Sequence, residues 1–139
     1  MKGIYGWVEQ KLQEYASIDH QIEERKLALE YSSQYAYGTE KVQSSKKRES
    51  QTENLVIKWE TDRELIRMKR QKATIGFFLE EQEPIHYKLI ELRYLKKERA
   101  SWLEISEEIG YHEKWCMAIR KQLLEELANR LAWMVDIRT

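Results

Sequence analysis

The sequence has little that bends a chain or cross-links it. One proline and five glycines in 139 residues leave few places for the turns of a sheet-rich architecture, and favour helices with short connections. A single cysteine permits neither an internal disulfide nor a multi-thiolate metal site, which suits a reducing compartment. An excess of one charge is missing too: 24 basic and 24 acidic residues cancel to a formal net charge of zero, and each third of the chain is close to balanced. The chain as a whole therefore offers a polyanion no long-range attraction. A specific DNA reader is still allowed, because its affinity depends on a local basic face and on paired subunits. No apolar run approaches the roughly eighteen residues of a spanning helix, and the opening MKGIYGWVEQKLQEY lacks the apolar stretch of a signal peptide. The expectation is an all-α, cytoplasmic protein with no membrane partner.

What is present is helical periodicity. Hydrophobic residues make up 42% of the chain and charged residues 35%, enough for one compact domain or a small domain carrying a helical arm. From Trp7 to about Tyr31, Val8, Leu12, Tyr15, Ile18, Ile22 and Leu29 fall on one side of a single helix about 37 Å long. Asp19, Arg25 and Lys26 interrupt the seam, which predicts a packing helix or a loose pair in preference to a regular coiled coil. Between Ser32 and Thr52 the pattern fails in a Ser-, Gln-, Lys- and Tyr-rich stretch that reads as a linker. Its Lys46-Lys47-Arg48 cluster is either solvated or a flexible contact to phosphates. Periodicity resumes at Asn54, a plausible cap, and Leu55, Val56, Trp59, Leu65, Ile66, Met68, Ile75, Phe78 and Leu79 carry it to about Glu81. The domain reading is thus residues 1–53 as helix, linker and candidate oligomerisation arm, and residues 54–139 as a helical domain.

The C-terminal part carries the functional signal, at about residues 85–131. Glu83-Pro84 ends one helix or starts the next, and Ile85, Leu89, Leu92 and Tyr94 point inward. Ser101 and Glu104 have the spacing of a capping box. The helix Trp102 to Ile109 buries Leu103, Ile105 and Ile109 in part, and Gly110 suits the left-handed residue that closes it. His112 then opens a helix running to about Met134, with Cys116, Ile119, Leu123, Leu127 and Leu131 as its buried edge. Two helices joined by a tight glycine-containing turn are the parts of a DNA-binding hairpin, and also of an ordinary helical hairpin in a bundle. In the first case Glu113, Lys114, Met117, Ala118 and Lys121 face the major groove, with Trp115 and Arg120 at the border and Tyr111 and His112 at the turn, near phosphates. Ser101 belongs to the same candidate DNA-binding set. Packing against the bracing helix is the favoured reading for Trp115.

The stretch LIELRYLKKERASWLEISEEIGYHEKWCMAIRKQLLEELANRL resembles the C-terminal region of phage late-gene transcriptional regulators of the ArpU and RinA type, itself similar to region 4 of sigma factors. The matching residues are Leu92-Arg93-Tyr94, Trp102-Leu103-Glu104-Ile105, Ile109-Gly110-Tyr111, Ile119-Arg120 and Leu123-Leu124. Two positions depart from that pattern: His112 stands where a serine usually starts the recognition helix, and Cys116 where an aliphatic residue is usual. The resemblance implies a small intracellular, prophage-encoded protein that activates transcription by binding double-stranded DNA and recruiting RNA polymerase.

Catalysis is not expected. The carboxylate pairs Glu80-Glu81 and Glu107-Glu108 diverge on a helix, and no phosphate loop, HExxH or nucleophile elbow occurs. His112 and Cys116 are one turn apart, but two ligands do not make a metal site, and Cys116 reads as a core thiol. Neither a metal nor any other cofactor is expected. A homo-oligomer, preferably a dimer, would supply the two hairpins that specific reading needs, using the Val8–Leu29 stripe or the run Leu127, Leu131, Trp133, Met134. A small terminase-like packaging protein and a protein-binding helical adaptor are the competing readings.

Overall fold

The structure, a computed structural model, describes residues 3–37 and 45–136, with side chains over 3–32 and 52–132. It is helical, with no strand among the described residues. The helices are α1 (Gly3–Tyr15), α2 (Ile18–Tyr37), α3 (Ser45–Thr61), α4 (Arg63–Glu80), α5 (Pro84–Ile90), α6 (Trp102–Ile109) and α7 (Glu113–Asp136), and a π-helical turn, Glu91–Leu95, extends α5. The chain divides into two compact units, one of Met1–Ser17 with Gln71–Thr139, the other Ile18–Arg70. In the first of these units α1 packs against α7 and the π turn.

Two of the expected long helices are broken. The Trp7–Tyr31 helix stops at a turn over Ala16 and Ser17, where the Ser17 amide donates to the Glu14 carbonyl at 3.0 Å. The Asn54–Glu81 helix is interrupted at Asp62, whose Oδ2 accepts from the Leu65 amide at 3.0 Å and so caps α4. Just before it the Thr61 hydroxyl donates to the Ile57 carbonyl at 2.7 Å, a bond back to the preceding turn that favours a bend. Asn54 lies inside α3 and away from its start. The stretch 32–52, expected to be a linker, is helical at both ends, since α2 runs to Tyr37 and α3 begins at Ser45; the side chains of Lys46, Lys47 and Arg48 lie outside the described residues.

In the unit Ile18–Arg70, α2 and α3 pack together, and Ile18, Ile22, Leu65 and Met68 are buried. Arg25 holds Asp62 through two bonds, Nε to Oδ2 at 3.0 Å and Nη2 to Oδ1 at 2.8 Å. That guanidinium keeps the Asp62 carboxyl below its ordinary range against the opposing effect of burial. Trp59 donates its indole N–H to the Lys26 carbonyl at 3.3 Å, and the Lys26 ammonium sits 5.3 Å from the centre of the same ring.

The other unit has two apolar clusters with one segment wedged between them. Val8 and Leu12 of α1, Ile75, Phe78 and Leu79 of α4, and Leu123, Leu124, Leu127, Ala128 and Leu131 of α7 form the larger cluster, which Ile90 and Tyr94 enter from the wedge. Leu89 and Leu92 of the same wedge face the opposite way and pack with Ile105 and Cys116 in the smaller cluster. Pro84 at the first position of α5 starts this segment, as its fixed φ and missing N–H allow. The π turn, closed by the Lys96 amide on the Glu91 carbonyl at 3.1 Å, widens the last coil.

This packing draws several residues of both expected oligomer interfaces into the chain's own core. Val8, Leu127 and Leu131 are fully buried and Leu12 nearly so, all in the chain's own core, while the side chains of Trp133 and Met134 lie outside the described residues. Truncating Leu12 to alanine leaves a cavity in that core, and the expected loss is about 2–5 kcal/mol of unfolding free energy, read from the denaturant midpoint. An exposed arm would lose less than about 0.5 kcal/mol.

Candidate nucleic-acid interface

The hairpin of α6 and α7 is built from local signals. The Ser101 Oγ accepts from the Glu104 amide at 3.1 Å, and a Glu104 carboxylate oxygen accepts from the Ser101 amide at 3.4 Å, which completes the capping box. Gly110 closes α6 at φ +78°, a left-handed conformation that a side chain would strain. Only Gly110, Tyr111 and His112 separate the two helices. The Ser106 hydroxyl donates to the Tyr111 carbonyl and ties the turn back to α6.

His112 caps the start of α7 with its ring. Its Nδ1 accepts from the Lys114 amide at 3.0 Å, and α7 starts one residue later, at Glu113. An imidazole nitrogen thus does what a hydroxyl oxygen does at most helix starts. Behind the turn, Tyr111 stacks on Trp115 with ring centroids 4.2 Å apart, and His86 of α5 approaches the same indole at 6.1 Å. Trp115 packs against the smaller cluster, on the side expected from sequence.

The face that α7 presents is as expected at five positions. Glu113, Lys114, Met117, Ala118 and Lys121 are all exposed, and their spacing puts them along one side of the first two to three turns. Met117 is 41% exposed, and Tyr111, although stacked on Trp115, is exposed to the same extent. The opposite side is sealed, with Cys116 fully buried; burial raises its thiol pKa, and the residue is a core thiol. Ser101 is exposed at the head of α6. Leu103, expected to be partly buried, is 58% exposed, because α6 turns Ile105 inward in its place.

Arg120 is placed differently from the rest. Its Nη2 lies 3.0 Å from Glu9 Oε1 of α1, and its Nε donates to Glu9 Oε2 at 3.3 Å. The buried Tyr94 hydroxyl donates to the same Oε2 at 2.6 Å. Burial first, then the Glu9 carboxylate, raises the Tyr94 pKa, so this phenol stays a donor. Arg120 is therefore a brace between α1 and α7, already bonded on its inner side. Glu9 and Tyr94 are the partners that sequence reasoning missed. The only sequence signal was Arg120's place beside Ile119 at the margin of the buried edge.

An open groove of about 900 Å³ runs beside this brace, with Trp7, Glu9, Arg93, Arg99, Trp102 and Met117 on its walls. The Arg93 guanidinium lies 4.8 Å from the centre of the Trp102 ring, and its Nη1 donates to the Ala100 carbonyl at 2.9 Å. No group of three or more metal-ligating side chains gathers among the described residues, and none of their helices is long and apolar enough to cross a membrane.

A family profile described as protein of unknown function, DUF722, matches residues 8–129. The match covers most of the chain, which belongs to this family. No curated protein and no solved structure matches the chain.

The cap at His112 has a direct test. His112→Ala is expected to lower thermal stability by about 0.5–2 kcal/mol. His112→Ser, which keeps an acceptor at the helix start, should retain or exceed the wild-type value in the same melting experiment.

Proposed function

We propose that this member of the DUF722 family is a sequence-specific double-stranded DNA-binding protein without catalytic activity. It regulates transcription of phage or prophage genes by holding RNA polymerase near its site. The observation that carries the reading is the hairpin itself: an eight-residue capped helix, a three-residue turn closed by a left-handed glycine, and a second helix. That second helix is fully buried at Cys116 and exposed at Glu113, Lys114, Met117, Ala118 and Lys121. A helix held from behind in this way can enter the major groove, about 12 Å wide, without distorting its support.

The exposed side chains are suited to base edges. Lys114 and Lys121 can donate to guanine O6 and N7, Glu113 can accept from a cytosine amine, and Met117 and Ala118 can meet a thymine methyl. One such face reads few base pairs, so two copies on a repeated site are the expected binding form. Similarity of the hairpin to phage late-gene regulators supports transcription over packaging as the process served.

Fluorescence anisotropy against duplexes tiling the protein's genomic neighbourhood, at about 0.15 M salt, tests the reading. Binding to one or two duplexes about a hundredfold tighter than to the others is expected, with that preference lost in Lys114→Ala/Lys121→Ala. Uniform weak binding, unchanged in the double variant, would make the hairpin a packing motif and end the proposal.

A further inference from the structure

From within the π turn toward α6 the chain reads Arg93-Tyr94-Leu95-Lys96-Lys97-Glu98-Arg99, four cations and one acid in seven residues. The fold draws this run into a tight loop: the Ala100 amide donates to the Leu92 carbonyl at 3.1 Å, while Arg93 clasps the Ala100 carbonyl. Three open clefts meet at the loop. The first, about 510 Å³, is lined by Gln13, Ser17, Arg93, Lys96, Lys97 and Arg99. The second is the groove that continues to Trp102 and Met117. The third, about 630 Å³, holds Lys96, Lys97 and Arg99 with Glu98, Glu104 and Glu108. Arg99 lines all three, and shares the second with Met117 of the exposed α7 face.

The charged side chains that line the first cleft are all cations, whereas the third also holds Glu98, Glu104 and Glu108. Among the described residues Lys96, Lys97 and Arg99 form no ion pair. Glu9, the carboxylate that lines the second groove, is taken by Arg120 and Tyr94, and Glu104 is taken by the capping box. Arg93 is partly buried, and its Nε has no hydrogen-bond partner. Burial first, then the charge of Arg99, disfavours its protonated form. Concave surfaces lined by one sign of charge concentrate potential, and guanidinium forks match the geometry of phosphate oxygens.

We propose that the first cleft binds a phosphodiester group of the DNA backbone, with Lys96, Lys97 and Arg99 as donors and Arg93 as the fixed wall beneath them. This rests on the DNA-binding reading and adds a second contact to it: the cleft anchors one backbone strand while the α7 face reads bases. A neutral chain then binds DNA through a local excess of positive charge. Contacts to phosphate set position and carry no sequence information, so this cleft governs affinity and salt response, and the α7 face governs preference.

The test is the triple variant Lys96→Ala/Lys97→Ala/Arg99→Ala beside Lys114→Ala/Lys121→Ala, with Lys69→Ala as a charge control and a thermal melt to confirm folding. Anisotropy is measured on the preferred duplex and on a scrambled one between about 0.05 and 0.2 M salt. The triple variant should bind both duplexes about tenfold or more weakly, flatten the log–log salt slope by about 2–3, and keep the ratio between duplexes. A slope equal to wild type overturns the cleft assignment while leaving the α7 reading intact. A flattened slope in the triple variant together with loss of preference only in Lys114→Ala/Lys121→Ala supports both. A wild-type chain that binds no duplex overturns both. Micromolar binding of inorganic phosphate or a mononucleotide, with the duplex slope unchanged in the triple variant, would give the cleft to a small anion and overturn the backbone assignment.

Discussion

The Glu9 carboxylate is the interaction on which the placement of the hairpin depends. It receives the Tyr94 hydroxyl at 2.6 Å and the Arg120 guanidinium at 3.0 and 3.3 Å, and so binds α1, the π turn and α7 at one point. All three groups are largely withdrawn from solvent, where a shared hydrogen bond to a charge is worth more than at the surface and the loss of one partner leaves the others unsatisfied. A second bond on the same side, from the Tyr5 hydroxyl to Glu125 at 2.6 Å, holds α1 along α7. The N-terminal helix is thereby part of the structure that aims α7, although it lies more than a hundred residues away in sequence.

Around this point the α5 wedge divides its burial between two clusters. Ile90 and Tyr94 serve the core that α1, α4 and α7 share, and Leu89 and Leu92 serve the core under the hairpin. Ile119 packs against both. Movement of the hairpin relative to the long half of α7 would open one cluster or the other, so the exposed face is carried on a support with little freedom.

The features legible in the sequence were those with local causes. The capping box at Ser101, the glycine at 110, Pro84 at a helix start and the buried edge Cys116, Leu123, Leu127 and Leu131 each depend on residues within a few turns. The helix breaks were less legible. Ala16 and Ser17 do not forbid a helix, and Asp62 is polar like its neighbours; its role shows only once Arg25 and the Leu65 amide are seen to engage it. Polar composition made residues 32–52 look like a linker, yet Ser45–Thr61 is helical. Arg120 was assigned to the DNA border because a cation beside an exposed face looks free until its carboxylate partner is known. Lys96, Lys97 and Arg99 are likewise gathered only by the loop closure at Leu92 and Ala100, which no local pattern in the chain announces.

In the proposed complex the first turns of α7 lie in the major groove of the bound duplex. Dimethyl sulfate protection on the tightest-binding duplex addresses it directly, because methylation at guanine N7 occurs in that groove and at adenine N3 in the minor one. The account predicts guanine N7 protection in two segments about one helical turn, or about 10 base pairs, apart, with adenine N3 left reactive between them. Full N7 reactivity across the bound site, or protection confined to adenine N3, would contradict it.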